Sequence, residues 1–172
     1  PKPLRYVCPW ARSDRPGYFD GGHRFDLKKW DPEYFARLHD FMRAAQKRGI
    51  VVEFNLFCPF YNDDLWAADP MNAKNNVNGI GNCPREEVYS LKHQDLTEVQ
   101  LDFVRKVVSE LREYDNLYYE VCNEPYFGGV TEAWQWKIAD TIAETEKSLG
   151  VKHLISMNIA NGRAKVEKLH PD

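Results

Sequence analysis

The residue of this chain best placed to do chemistry is Glu124. It closes the stretch "YYEVCNEPY", residues 118–126, where an apolar run stops on Asn123-Glu124-Pro125 and leaves a carboxylate at its end. A carboxyl group in such a place can hand a proton to a leaving atom or take one from water, and partial burial or a nearby carboxylate would keep it protonated near neutral pH. Glu120 shares a strand face with Glu124 but lies four residues earlier, hence roughly 13 Å away at about 3.3 Å per residue. Asn-Glu-Pro is by itself also an ordinary turn sequence, with Pro125 stopping the strand. Its weight comes from the elements around it.

Those elements alternate. "WDPEYFARLHDFMRAAQKRG", residues 30–49, reads as a helix: Asp31 can cap, Pro32 suits the first helical position, and Glu33 complements the dipole. Tyr34, Phe35, Leu38, Phe41, Met42 and Ala45 recur at helical spacing, and Gly49 ends the run. "IVVEFNLFC", residues 50–58, follows as a strand. A second helix is expected from about Asp95 to Tyr114, with Val99, Phe103, Val104, Val107, Val108 and Leu111 buried. The strand "NLYYEVCNEP" comes next, then a helix over about Thr131 to Leu149 with Trp134, Ile138, Ile142 and Leu149 on one side, and then the strand "HLISMNIA", residues 153–160. Strands joined by helix-length crossovers are parallel and covered by helices, so the class is α/β. The long stretch from Pro59 to Asp95 is rich in Asn, Gly and Pro; connections of that length are usually functional or carry small elements of their own.

Parallel strands covered by helices should be apolar almost throughout, and these are not. Glu53 and Asn55 share a face in the first strand, Glu120, Cys122 and Glu124 in the second, and Ser156 and Asn158 in the third. One surface collecting these groups would be a polar interior of the kind a closed (β/α)8 barrel provides, with reacting groups at the carboxyl ends of its strands. A doubly wound sheet would show a Gly-rich loop after its first strand, and no G-x-G-x-x-G or P-loop occurs. Glu53 and Glu120, deep in their strands, are read as buried structural carboxylates.

An apolar strand closing on Asn-Glu-Pro resembles the fourth strand of the retaining (β/α)8 glycoside hydrolases, the group that includes cellulases and β-mannanases. The run "FDLKKWDPEYFARLHDFMRAAQKRGIVVEFNLFCPFY" is similar to the helix and third strand of cellulase-like members, and the resemblance extends from about Phe25 to Asn161. It implies Glu124 as the general acid/base, Asn123 as the hydrogen-bond partner of the hydroxyl beside the anomeric carbon, and a partial TIM barrel comprising about strands 3 to 5, their helices and the long loop before them. Such hydrolysis needs two carboxyl groups, about 5 to 5.5 Å apart for retention or about 6.5 to 9.5 Å for inversion, so Glu120 is too far away to be the second. In the family the nucleophile stands at the end of the seventh strand, outside this chain, and no cofactor is implied.

Sugar rings present apolar faces rimmed by hydroxyls, so carbohydrate clefts combine aromatic platforms with a few polar groups. "CPFYNDDLW" places Phe60, Tyr61, Asp63, Asp64 and Trp66 after the first strand, and Tyr126 and Phe127 follow Glu124. Trp10 and Arg12 join them from a loop that, by resemblance, follows the second barrel strand. The expected substrate-binding set is therefore Trp10, Arg12, Phe60, Tyr61, Trp66 and Tyr126, with Asn158 from the polar face of the third strand. Trp134 fits the core instead. The five His residues have no partners at metal-ligand spacing, and the four cysteines, Cys8, Cys58, Cys83 and Cys122, form no C-x-x-C pair; buried free thiols are the default and a Cys58–Cys83 bridge the alternative.

The 172 residues carry a formal net charge of -3, with Lys and Arg dispersed, which offers no footprint for nucleic acid or an anionic membrane. No apolar run approaches the roughly 20 residues of a membrane span. The first residues lack a signal peptide, and the resemblance implies a secreted or periplasmic protein whose signal lies elsewhere. Both ends read as cut, so the expectation is one segment of a single catalytic domain. Two other readings stay open: a non-catalytic carbohydrate-binding protein on the same scaffold, and an inactive half-barrel that self-associates through its strand edges.

Overall fold

The computed structural model describes residues 6–158. Within them Trp10–Pro16 (β1) and His23–Trp30 (β2) form an antiparallel hairpin, where the sequence suggested only a loop. Its pairing slips between Trp10 and Ala11 and again between Arg12 and Pro16, so no regular alternation marks the strands. The turn is closed by the Tyr18 N–H donating to the Gly22 carbonyl at 3.1 Å, and by the Asp20 carboxylate accepting from the Gly22 N–H at 2.9 Å.

Helix Pro32–Gln46 (α1) begins as its residues dictate, with the Asp31 carboxylate accepting from the Glu33 N–H at 2.9 Å. Phe35, Met42 and Ala45 are buried, whereas Phe41 is 57% exposed, against expectation. Successive helical residues are turned by about 100°, and that single step carries Phe41 off the stripe that Met42 occupies. Strand Val52–Phe57 (β3) follows, then a short helix Asp63–Ala68 (α2), a 3-10 turn at Arg85–Glu87, helix Gln94–Leu111 (α3), strand Leu117–Cys122 (β4), helix Glu132–Leu149 (α4) and strand Ile155–Ser156 (β5). The last strand is shorter than expected, and residues 159 and 160 of its expected span lie outside the described residues.

β3, β4 and β5 form a parallel sheet in that order. Asn55 lies opposite Glu120, and Glu120 opposite Ser156, so one polar row crosses all three strands. Asn55 donates its side-chain amide to Glu120 at 2.6 Å, and Asn158 also hydrogen-bonds this carboxylate. Glu120 is buried as expected, and burial raises its carboxyl above the usual range, reinforced by Glu53 and opposed by Asn158. Glu53 corrects the reading of two buried carboxylates. It is exposed on a strand with no partner on its other edge among the described residues, and the Tyr118 hydroxyl donates to it.

α3 buries Val99, Phe103, Val104, Val107, Val108 and Leu111 as its pattern demands, each side chain contributing about 1.5–3 kcal/mol by leaving water. α3 packs on α4, and α4 on β4. Trp134 is fully buried between Phe57 and Tyr89, with ring centroids 5.1 and 4.6 Å away. Its indole N–H donates to Gln100 at 2.8 Å, and Gln100 donates to the Val88 carbonyl at 3.0 Å, so a polar pair in the core is satisfied and fixes the helix pair to the long loop. Leu149, placed on the buried side by the pattern, is the terminal residue of α4 and remains partly exposed.

The long connection between β3 and α3 is organised by asparagine. Asn76, only 1% exposed, donates to the carbonyls of Pro70, Asn72 and Ile80 and accepts from the Asn78 and Ile80 amides. Asn75 donates to the Ala67 and Asp69 carbonyls, and the Phe25 N–H donates to the Asn75 carbonyl at 2.8 Å, tying the hairpin to the loop. These amides supply the backbone partners that regular structure would provide. Asn76→Ala is expected to lower stability by roughly 2–4 kcal/mol in urea denaturation. Asn76→Asp, which keeps the shape but not the donor, should cost nearly as much.

Candidate active site

The β3–β4 register brings the carboxyl ends of these strands together. Phe57 pairs with Cys122, and the Asn123 N–H then donates to the Phe57 carbonyl at 2.9 Å, so the ladder runs one residue past β4 before the chain turns. Glu124 takes the turn with φ +43°, a left-handed conformation rare outside glycine and held by its surroundings. The Phe127 N–H donates back to the Glu124 carbonyl at 3.2 Å. Beyond it the chain lies against the segment that follows β3: a Cβ at Gly128 would come within 3.2 Å of the Phe60 carbonyl oxygen, and one at Gly129 within 2.2 Å of that of Glu86. Both glycines have positive φ, which no other residue adopts cheaply.

This close approach delivers Tyr61 to Glu124. The Tyr61 hydroxyl donates to Glu124 Oε2 at 2.7 Å, and the Tyr126 hydroxyl donates to Oε1 at 3.1 Å, so each carboxylate oxygen has a phenolic partner. Hydrogen bonds with Cys58 and then Glu124 hold the Tyr61 hydroxyl far above the ordinary range, and it stays a donor. Tyr126 is shifted the same way, by burial and then by its bond to Glu124. The Asn123 amide reaches the Tyr61 oxygen at 3.4 Å and the Cys58 sulfur at 3.9 Å, both long contacts that leave it able to donate to a ligand. Tyr61, Tyr126 and Phe127 are exposed, with the Phe127 ring edge-on to Tyr61 at 5.6 Å.

The other expected site residues fall into two groups. Phe60 and Trp66 are buried and pack against each other at 5.0 Å, with the Trp66 indole donating to the Cys83 carbonyl at 2.8 Å. Trp10 is buried against Trp30 and Phe103. Phe60 and Trp10 nevertheless reach the wall of a cavity of about 510 Å³ that opens beside Tyr61 and Cys58. Arg12 is committed elsewhere: it pairs with Asp20, donates to the His23 and Tyr6 carbonyls, and lies over the rings of Tyr18 and Phe25. Asn158 is joined to Glu120 rather than to Glu124. All four cysteines are free, so the Cys58–Cys83 bridge is not formed; Cys58 is exposed at the mouth, while burial raises the thiols of Cys8 and Cys122.

Two residues that sequence reasoning missed shape this region. Arg85 donates to the Phe60 carbonyl and to Asp63, both at 3.0 Å, and so holds the segment carrying Tyr61. Asp69 lines the cavity, its carboxylate accepting from the Met71 N–H at 2.8 Å. Burial raises its carboxyl from the usual 3.8 to about 7, against the opposing Met71 bond. No local pattern announces either role, because both arise from contacts made by a folded loop. Among the described residues no group of His, Cys, Asp and Glu is arranged to hold a metal, and no helix is long and apolar enough to cross a membrane.

Comparison with known proteins adds one finding. A family model described as Cellulase (glycosyl hydrolase family 5) matches residues 4–169. Nothing matches among curated proteins or among solved structures.

The raised Asp69 carboxyl has a consequence for stability. The unfolded chain ionises this group near 3.8 and the folded chain only near 7, so between these values the folded state holds more protons and stability falls as pH rises. Asp69→Asn keeps an acceptor for Met71 without the charge. Its Tm, relative to the parent chain, should therefore be higher at pH 8 than at pH 4; an equal difference at both would contradict the assignment.

Proposed function

The chain belongs to glycosyl hydrolase family 5, and on that premise we propose that it is the part of a retaining glycosidase that carries the acid/base, acting on a β-linked polysaccharide or oligosaccharide. The observation that carries this reading is the convergence of the Tyr61 and Tyr126 hydroxyls on the two oxygens of Glu124 at the end of β4. The parallel sheet of β3, β4 and β5, with its polar row on one face, supports a place for these strands within a (β/α)8 barrel whose mouth lies at their carboxyl ends.

In this mechanism Glu124 protonates the glycosidic oxygen as the bond to the anomeric carbon breaks, and later takes a proton from the water that hydrolyses the glycosyl-enzyme. A phenolic hydroxyl can donate or accept. Tyr61 and Tyr126 can thus receive the protonated acid and stabilise the carboxylate left after transfer, without moving the group. Asn123, its backbone pinned to Phe57, offers its amide to the neighbouring sugar hydroxyl. The exposed rings of Tyr61, Tyr126 and Phe127 supply apolar surface for the faces of the sugar. The second carboxylate is the one that the resemblance to the family implies at the end of the seventh barrel strand, outside this chain; Glu120, buried under Asn55 and Asn158, does not take its place. The protein is proposed to work on extracellular or periplasmic glycans, without a cofactor.

Glu124→Gln in the intact protein should lower kcat on an unactivated β-glycan by roughly 10²–10⁴-fold. Unchanged turnover would remove Glu124 from the mechanism. Tyr61→Phe separates two roles for that residue. If the hydroxyl positions the acid, kcat falls about tenfold or more with KM nearly constant; if it only binds sugar, the change appears in KM.

A further inference from the structure

The 3-10 turn Arg85–Glu87 touches both of the segments that must meet at the site. From one side its Arg85 guanidinium reaches the segment that follows β3: Nε donates to Asp63 and Nη1 to the Phe60 carbonyl, both at 3.0 Å. Nη2 pairs with Glu86 at 2.8 Å. All three nitrogens are thereby engaged, and the plane of the fork is fixed. Phe60 and Asp63 bracket Tyr61, so the chain is held on both sides of that residue. From the other side the turn receives the segment leaving β4, where a Cβ on Gly129 would stand 2.2 Å from the Glu86 carbonyl oxygen.

The turn is anchored to the core on either side. The Trp66 indole donates to the Cys83 carbonyl at 2.8 Å before it, and the fully buried Gln100 donates to the Val88 carbonyl at 3.0 Å after it. The Thr131 N–H donates to the Tyr89 carbonyl at 2.9 Å, which ties the same stretch to the start of α4. An ion pair such as Arg85–Asp63, with the Asp63 side chain 90% exposed, adds little to stability. What three directed hydrogen bonds supply is placement. A shift of about 1 Å in Tyr61 would open its 2.7 Å bond to Glu124, and misplacement on that scale is what costs rate in an active site.

We infer that Arg85 is a positioning residue for the acid/base: it sets the Tyr61 hydroxyl against Glu124 and so holds that carboxyl in the geometry for proton transfer. This rests on the reading of Glu124 as the acid/base of a glycosidase. Without Arg85 the segment around Tyr61 loosens, one oxygen of Glu124 loses its donor, and the carboxylate left after proton transfer is less well stabilised. Tyr126 continues to serve the other oxygen. A lysine in place of Arg85 would keep the charge but present one point donor to acceptors that lie in three directions.

The test compares Arg85→Ala, Tyr61→Phe and the double variant in the intact protein. The substrates are neutral β-linked gluco- and manno-oligosaccharides and the dinitrophenyl β-glycosides of the same sugars, whose leaving group needs no proton. On the oligosaccharides Arg85→Ala should lower kcat/KM about three- to tenfold, chiefly through kcat. In the Tyr61→Phe background it should add less than about a twofold loss. On the activated glycosides it should stay within about twofold of the parent. A residue that merely supports the fold would lower both substrates alike and add its loss to that of Tyr61→Phe, a result that overturns the assignment. Arg85→Lys should move in the same direction to a smaller extent, and it serves the same comparison should Arg85→Ala fold poorly. Titration of the Glu124 carboxyl by isotope-edited NMR follows the same link without turnover. The phenols facing it, Tyr61 with Cys58 behind it and Tyr126, are held above their ordinary range and stay protonated meanwhile. The Glu124 midpoint should rise in Tyr61→Phe, because a carboxylate that loses a donor holds its proton more tightly, and rise likewise in Arg85→Ala. A midpoint unmoved by Arg85→Ala overturns the assignment, whatever glycans are cleaved. A midpoint moved by both, with no oligosaccharide or aryl glycoside cleaved, keeps the link from Arg85 to Glu124 and overturns the glycosidase reading alone.

Discussion

In the parallel pairing of β3 with β4, Phe57 stands opposite Cys122, and the Asn123 N–H continues the ladder onto the Phe57 carbonyl. Everything at the site follows from that alignment. A slip of one residue would exchange the faces of β4 and carry its polar side chains to the other side of the sheet. In the register observed, both strands end at one level, so the segments leaving them must share the same space. Gly128 and Gly129 make the sharing feasible by letting backbone pass against Phe60 and Glu86 with no Cβ between. Tyr61 then meets Glu124 as a matter of geometry.

Rigidity on both sides of the site comes from buried polar groups that are fully engaged. Gln100 links Trp134 of α4 to the Val88 carbonyl, and Asn76 joins five backbone groups of the long loop. Such groups stabilise only when all their partners are in place. They therefore act as gauges of correct assembly, and the loop that carries Asp69 and Tyr61 is held without a long helix or strand of its own. The left-handed turn at Glu124 persists in this setting because the Asn123 and Phe127 amides and two tyrosine hydroxyls surround it.

Two carboxyl groups stand out as costly to folding. Glu120 is buried in the sheet and Asp69 is half-buried at the cavity wall, and the loss of solvent raises both. Their settings differ. Glu120 is satisfied by Asn55 of β3 and by Asn158 just beyond β5, as a group that keeps three strands in register would be. Asp69 has one amide partner and an open cavity before it.

The amino-acid sequence by itself determined the α/β class, the order of helices and parallel strands, the buried stripe of α3, and the position of Glu124 at a strand end, because these depend on periodicity and on residues adjacent in the chain. It also carried the resemblance to glycoside hydrolases, which the family match agrees with. The hairpin of β1 and β2 was not legible, since its pairing is broken twice and alternation is lost. The roles within the aromatic set were not legible either. Phe60, Tyr61 and Trp66 lie within seven residues, yet only Tyr61 faces Glu124, because α2 and Arg85 turn the other two inward. Arg12 looked available and is consumed by Asp20, and Asp69 carried no local signal of its place in the cavity wall. Which side chains meet across dozens of residues is decided by strand register and loop closure, and those are properties of the tertiary structure alone.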